Sequence, residues 1–110
     1  MKNLRIAIGC FSLCLGKGGS ERVAVNLAEA MTLRGHQVLL LSHIGPNGEN
    51  TPAYPISPNV RHIALNCSGW HGEVAKLKKI LIYEKIDVLL SLGASAMHFF
   101  WASACIGTGI

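Results

Sequence analysis

The chain alternates short, continuously apolar runs with longer segments of helical spacing. Leu4 to Gly9 (LRIAIG) is a β-branched run of the kind that parallel strands buried on both faces require. From Ser20 to Arg34 the period changes. Val23, Leu27 and Met31 recur every fourth residue, with Ala24, Ala28 and Ala30 as small contacts, and this predicts a helix whose stripe faces the core. Ser20 is placed to cap its N-terminus, Glu21 suits the positive first turn, and Arg34 suits the negative last turn. Gly35 then supplies a left-handed residue to end it. Gln37 to Ser42 (QVLLLS) is a second buried strand, Val60 to Leu65 (VRHIAL) a third, and Asp87 to Ser91 (DVLLS) a fourth. Glu73 to Lys85 sets Val74, Leu77, Leu81 and Tyr83 against Lys76, Lys78, Lys79 and Lys85, an amphipathic helix, and Ala94 to Ile106 reads as a third helix.

Strands alternating with helices need crossover connections, which places the chain in the α/β class. The expected fold is a Rossmann-like, three-layer parallel sheet with helices on both faces. Between strands two and three, Gly45 to Asn59 shows no periodicity and holds all four prolines, Pro46, Pro52, Pro55 and Pro58. Its length marks a surface excursion of the kind that can serve as a lid. Parallel sheets bind ligands beyond the carboxyl ends of their strands. Here that edge is expected along Gly9 to Ser20, Ser42 to Gly45 and Ser91 to Ser95.

Composition narrows the picture. At 110 residues the chain is a single domain, and with 50% hydrophobic and 15% charged residues it is not a disordered segment. The net charge of +4 admits a phosphate-rich or anionic-membrane partner without demanding one, and nothing points to a nucleic acid. Cys10, Cys14 and Cys105 lie in apolar runs where a thiol acts as a small hydrophobe. No CxxC pair is present, and Cys67 with His71 supplies only two metal ligands, too few for a site. Such cysteine usage suits a reducing compartment, the cytoplasm.

Two stretches invite other readings. Lys2 and Arg5 precede the apolar run Ile6 to Leu15, but Lys17 to Arg22 follows it where a signal peptide would place small residues, so a buried strand explains the run. Residues 88 to 110 carry no formal charge over a length that could span a membrane. Ser91, Gly93, Ser95, His98, Ser103, Gly107, Thr108 and Gly109 interrupt them, which favours a strand, a loop and a helix.

The chemically loaded element is Cys10 to Ser20 (CFSLCLGKGGS), a glycine-rich loop running straight into the first helix. Glycines let backbone amides approach a ligand, and a helix N-terminus presents free N–H groups in a positive field. Phosphate, carboxylate or a polar sugar would suit such a loop, as would no ligand at all if glycine serves turn geometry alone. Glu21 stands where a dinucleotide fingerprint has its third glycine, and Gly18 follows Gly16-Lys17 where a Walker loop has Ser or Thr. A response-regulator module is disfavoured because Asp87 begins its strand rather than ending it.

The string Gly16 to Ser42 resembles the opening of family 4 glycosyltransferases, the retaining GT-B enzymes. Gly18, Gly19, Ser20, Glu21 and Arg22 match a GG-[AS]-E-R loop, Asn26-Leu27-Ala28 an N-L-A helix, and Arg34-Gly35-His36 with Val38 an R-G-H-x-V turn. Asn59-Val60-Arg61 to Leu65 and Asp87 to Ser91 are similar to further landmarks. The resemblance implies an acceptor-side domain whose loop, Gly16, Gly18, Gly19 and Ser20, faces the diphosphate of a UDP- or GDP-linked donor sugar. It also implies transfer with retention to a glycan or lipid-linked acceptor, with no protein nucleophile, no metal and no further cofactor. Family members carry a second domain with an E-x7-E motif and most donor contacts. It is not in this sequence, so the resemblance implies the front of an N-terminal domain, inactive alone. Relatives that use a histidine after strand four single out His98, although its apolar setting equally suits a core histidine. The lysine face of helix two suits solvent, or an anionic lipid surface at the inner face of the membrane. Donor sugar, acceptor and oligomeric state are not legible.

Overall fold

A computed structural model describes residues 3–45, 47–66, 70–92 and 95–110. In chain order the elements are β1 (Arg5–Cys10), α1 (Gly19–Leu33), β2 (Gln37–His43), β3 (Arg61–Leu65), α2 (Trp70–Tyr83), β4 (Val88–Leu92) and α3 (Ser95–Cys105). The strands form one parallel sheet in the order β3-β2-β1-β4. Ile8 lies opposite Leu40 on one side and Leu90 on the other, so β1 is central. Alternate residues of its continuous apolar run face opposite layers. Ile6, Ile8 and Cys10 join Val38 and Leu40 beneath Ala24, Val25 and Ala28 of α1. Ala7, Leu39 and Leu41 face the other way, against Leu77 and Leu81 of α2 and Phe100, Trp101 and Ala104 of α3.

Several local expectations change. α1 begins one residue early, so Gly18 is its N-cap and Ser20 caps nothing. Its buried stripe is Glu21, Ala24, Val25 and Ala28, whereas Val23 is 52% exposed and Ala30 faces solvent. Leu27 and Met31 are only half-buried at its margin. Ala24 and Ala28 are one helical turn apart, and their small side chains let the α1 backbone approach the sheet closely. Val23 is turned aside. The helix ends as expected: Gly35 is left-handed (φ 92°), its N–H bonds Thr32 O and the next N–H, of His36, bonds Met31 O.

α2 starts at Trp70 rather than Glu73 and stops at Tyr83, which is exposed rather than inward. Lys85 lies beyond it in the left-handed position (φ 54°), closing the same type of cap through Lys85 N to Ile82 O and Ile86 N to Leu81 O. Segment 45–59 has no helix or strand among its described residues, yet it is not a free surface excursion. Ala53 N–H bonds Leu13 O at 3.0 Å, and Tyr54 and Ile56 pack on the core beneath α1. The uncharged stretch from residue 88 divides into β4 and the 11-residue α3, and among the described residues no helix is long and apolar enough to cross a membrane.

Candidate functional site

All four strands end on one edge, at Cys10, His43, Leu65 and Leu92. From β1 the chain passes to α1 on one face of the sheet, and from β4 to α3 on the other. These neighbouring strands send their connections to opposite sides, which makes a crevice at their shared carboxyl edge.

One wall of that crevice is the loop into α1. It leaves β1 through two tight turns, Leu13 N to Cys10 O (3.3 Å) and Leu15 N to Ser12 O (2.9 Å). Of the three glycines that follow, Gly16 and Gly19 answer to no internal demand among the described residues. None of Gly16, Gly18 and Gly19 has a positive φ, and Gly18 is extended at φ −88°. Among the described residues, a Cβ at Gly16 or Gly19 would meet nothing within 4 Å. At Gly18 it would meet the Glu21 carboxylate at 2.9 Å, the far end of a flexible side chain. No side chain among the described residues caps the helix, so its first backbone N–H groups are open to an outside acceptor. Glu21, bent back toward Gly18, shares that positive end. Burial and then the Glu21 charge push the Cys10 thiol above its usual range, which keeps it neutral.

Across the crevice stands His98. It is exposed, not in the core, and hydrogen-bonds through Nδ1 to the Ser91 hydroxyl at the end of β4. This leaves Nε2 for a ligand. Gly93 and Ala94, between them in sequence, fall outside the described residues, as does Cys67 of the Cys67–His71 pair. Among the described residues no three metal-binding side chains gather.

The sequence did not single out the two polar pairs at the end of β2, although His43 and Ser42 close its apolar run and mark a change of chemistry there. His43 is 2% exposed, with Nε2 at 2.8 Å from a Glu73 carboxylate oxygen and Nδ1 buried without a partner among the described residues. Its ring packs between Phe11 (4.4 Å) and Phe100 (4.9 Å), and its backbone N–H donates to Phe11 O at 3.2 Å. One residue thus ties the glycine loop, α2 and α3 together. Burial lowers the imidazole pKa more than Glu73 raises it. On the opposite face, Ser42 Oγ bonds His62 Nε2 at 2.7 Å and sits 3.4 Å from Cys14 Sγ. Burial lowers the His62 pKa as well. His36 lies at the other end of the sheet, where its Nδ1 accepts the Leu4 N–H at 3.0 Å, a structural role in the turn after α1. A cavity of about 160 Å³ opens at that end, but two of its lining charges, Arg61 and Glu84, are spent on each other.

Comparison with curated proteins returns no match. The model of Glycosyltransferase Family 4 matches residues 17–110, from the glycine loop through α3. The parallel sheet covered on both faces is the corresponding Rossmann-like, partial GT-B fold. A family match across most of the sequence therefore coincides with the fold that such a domain requires, and the chain belongs to Glycosyltransferase Family 4.

Proposed function

We propose that this chain is the acceptor-side domain of a transferase that moves a sugar from a UDP- or GDP-linked donor to a glycan or lipid-linked acceptor, with retention. One observation carries the reading. Gly16 and Gly19 are small for no reason that the described residues supply, and with Gly18 they lead into a helix N-terminus without a side-chain cap, at the switch point of the sheet. The space they leave suits a diphosphate, which accepts hydrogen bonds from backbone N–H groups and is favoured by the helix field. As the bond from anomeric carbon to phosphate oxygen breaks, negative charge grows on the leaving diphosphate, and donors fixed in place stabilise it without reorganising. The departing phosphate takes the acceptor proton, so no protein nucleophile acts. His98, steadied by Ser91, offers Nε2 to a hydroxyl of donor or acceptor. A lipid-linked acceptor would bring the domain to the cytoplasmic face of a membrane. There Lys76 and Lys79, beside the exposed Ile82 and Tyr83, would meet anionic headgroups.

Gly19→Val, introduced into the transferase that carries this domain, tests the reading. Because a side chain at position 19 meets open space, the fold should survive while donor KM rises and kcat falls. Parent-like values for both would refute the loop's role.

A further inference from the structure

Beside α1, a groove of about 370 Å³ runs between Arg22, Asn26 and Glu29 on the helix and Tyr54 and Pro55 on the segment after β2, with buried Val25 beneath. The three helix residues are four and three positions apart, which sets them along one face. All three are exposed, and none makes a side-chain hydrogen bond or ion pair within the described protein. Tyr54 is held in place: its hydroxyl donates to Lys17 O at 3.0 Å, and the Lys17 ammonium sits 5.8 Å from its ring centroid. The groove is therefore fastened to the glycine loop one residue before Gly18.

We propose that this groove binds saccharide units of the acceptor. Its polar groups are complementary to hydroxyls that both donate and accept: the guanidinium only donates, the carboxylate only accepts, and the amide does both. The Tyr54 ring and Pro55 offer apolar surface to the C–H face of a sugar ring. Arg22 and Glu29 offset each other, so the groove carries no net charge to favour an ion of either sign, and an uncharged polyhydroxyl ligand fits the set best. The volume lies in the range of about 300–1,000 Å³ typical of small-ligand sites. Running along α1 from the loop, the groove would let an extended acceptor trail away from the crevice. This assignment rests on the transferase reading, because it makes the bound saccharide the acceptor.

The test is a titration of the isotopically labelled 110-residue chain, followed by amide NMR. The probes are neutral mono-, di- and trisaccharides of glucose, galactose, mannose and N-acetylglucosamine, with inorganic pyrophosphate as a separate arm. At least one saccharide should shift the Asn26, Glu29 and Tyr54 amides saturably. The double variant Asn26→Ala/Glu29→Ala, both positions exposed, should keep its melting temperature and weaken that binding roughly tenfold, the loss of one or two hydrogen bonds. Silence across the saccharides, or shifts that survive the double variant, would overturn the groove assignment. Pyrophosphate shifts at Gly18 to Ser20 without any saccharide binding would leave the transferase reading standing and the groove refuted. Saccharide binding without pyrophosphate shifts would keep the groove as a saccharide site and remove its assignment to an acceptor.

Discussion

The Trp101 indole lies against the backbone of Gly9, so close that a Cβ at position 9 would fall 2.6 Å from two of its ring carbons. Both residues are central to the packing, since Trp101 is 1% exposed and Gly9 pairs with Leu41 and Ser91 on either side. This close approach seats α3 on the sheet, and His98, one turn earlier, is thereby brought to Ser91 at the end of β4. Gly9→Ala should therefore destabilise the domain by about 1–3 kcal/mol, the usual penalty for overpacking a filled core. Urea unfolding of parent and variant measures this directly. An unchanged midpoint would mean that the indole can shift without penalty.

Acidity should loosen the fold through two imidazoles, the buried His43 and the half-buried His62. His43 and His62 both titrate below the ordinary histidine value of about 6.5. As pH falls through that value the unfolded chain binds their protons first, so stability declines toward the lower folded-state pKa values. At neutral pH both are uncharged folded or unfolded, and their full contribution is present. Glu73 partly offsets the burial of His43, so His62 gives the cleaner signal. The melting temperature should hold above about pH 7 and drop toward about pH 5, with a shallower drop in His62→Gln. An equally steep drop in that variant would assign the effect to other groups.

Much of the fold was legible because buried parallel strands leave an unmistakable record. LRIAIG and QVLLLS are apolar without alternation, and α1 ends on a glycine that must be left-handed. The face of α1 was not legible. Spacing alone favours the larger Val23, but close packing on the sheet selects Ala24 and Ala28. α3 is apolar on most of its surface, so nothing in its pattern says that His98 faces out while Trp101 faces in. The glycine loop announced itself through composition. The His43–Glu73 and Ser42–His62 pairs did not, because each joins residues whose contact exists only once strands and helices are assembled. The groove beside α1 was hidden for the same reason: its far wall belongs to a segment without periodicity.

The outward face of α2 predicts selective lipid binding. Ile82 and Tyr83 are 56% and 82% exposed, and Lys76, Lys79 and Lys85 make no ion pair within the described protein. The chain should sediment with vesicles containing phosphatidylglycerol and not with pure phosphatidylcholine. Added salt should release it, and Lys76→Glu/Lys79→Glu should abolish binding, given about 1 kcal/mol for each basic residue near an anionic surface. Equal sedimentation with both lipids, or with neither, would remove the membrane from the account.

A donor diphosphate seated on the Gly16–Ser20 loop should show itself when the chain is titrated with UDP- and GDP-sugars and its amide shifts are recorded. Each backbone hydrogen bond there replaces one to water and nets about 1 kcal/mol, which must offset an association penalty of about 4 kcal/mol or more. Saturable shifts confined to Gly16, Gly18, Gly19 and Ser20, with a dissociation constant of roughly a millimolar or weaker, are therefore predicted, and Gly19→Val should erase them without altering the rest of the spectrum. Shifts that avoid this loop, or that persist unchanged in Gly19→Val, would mean that the loop does not receive the diphosphate.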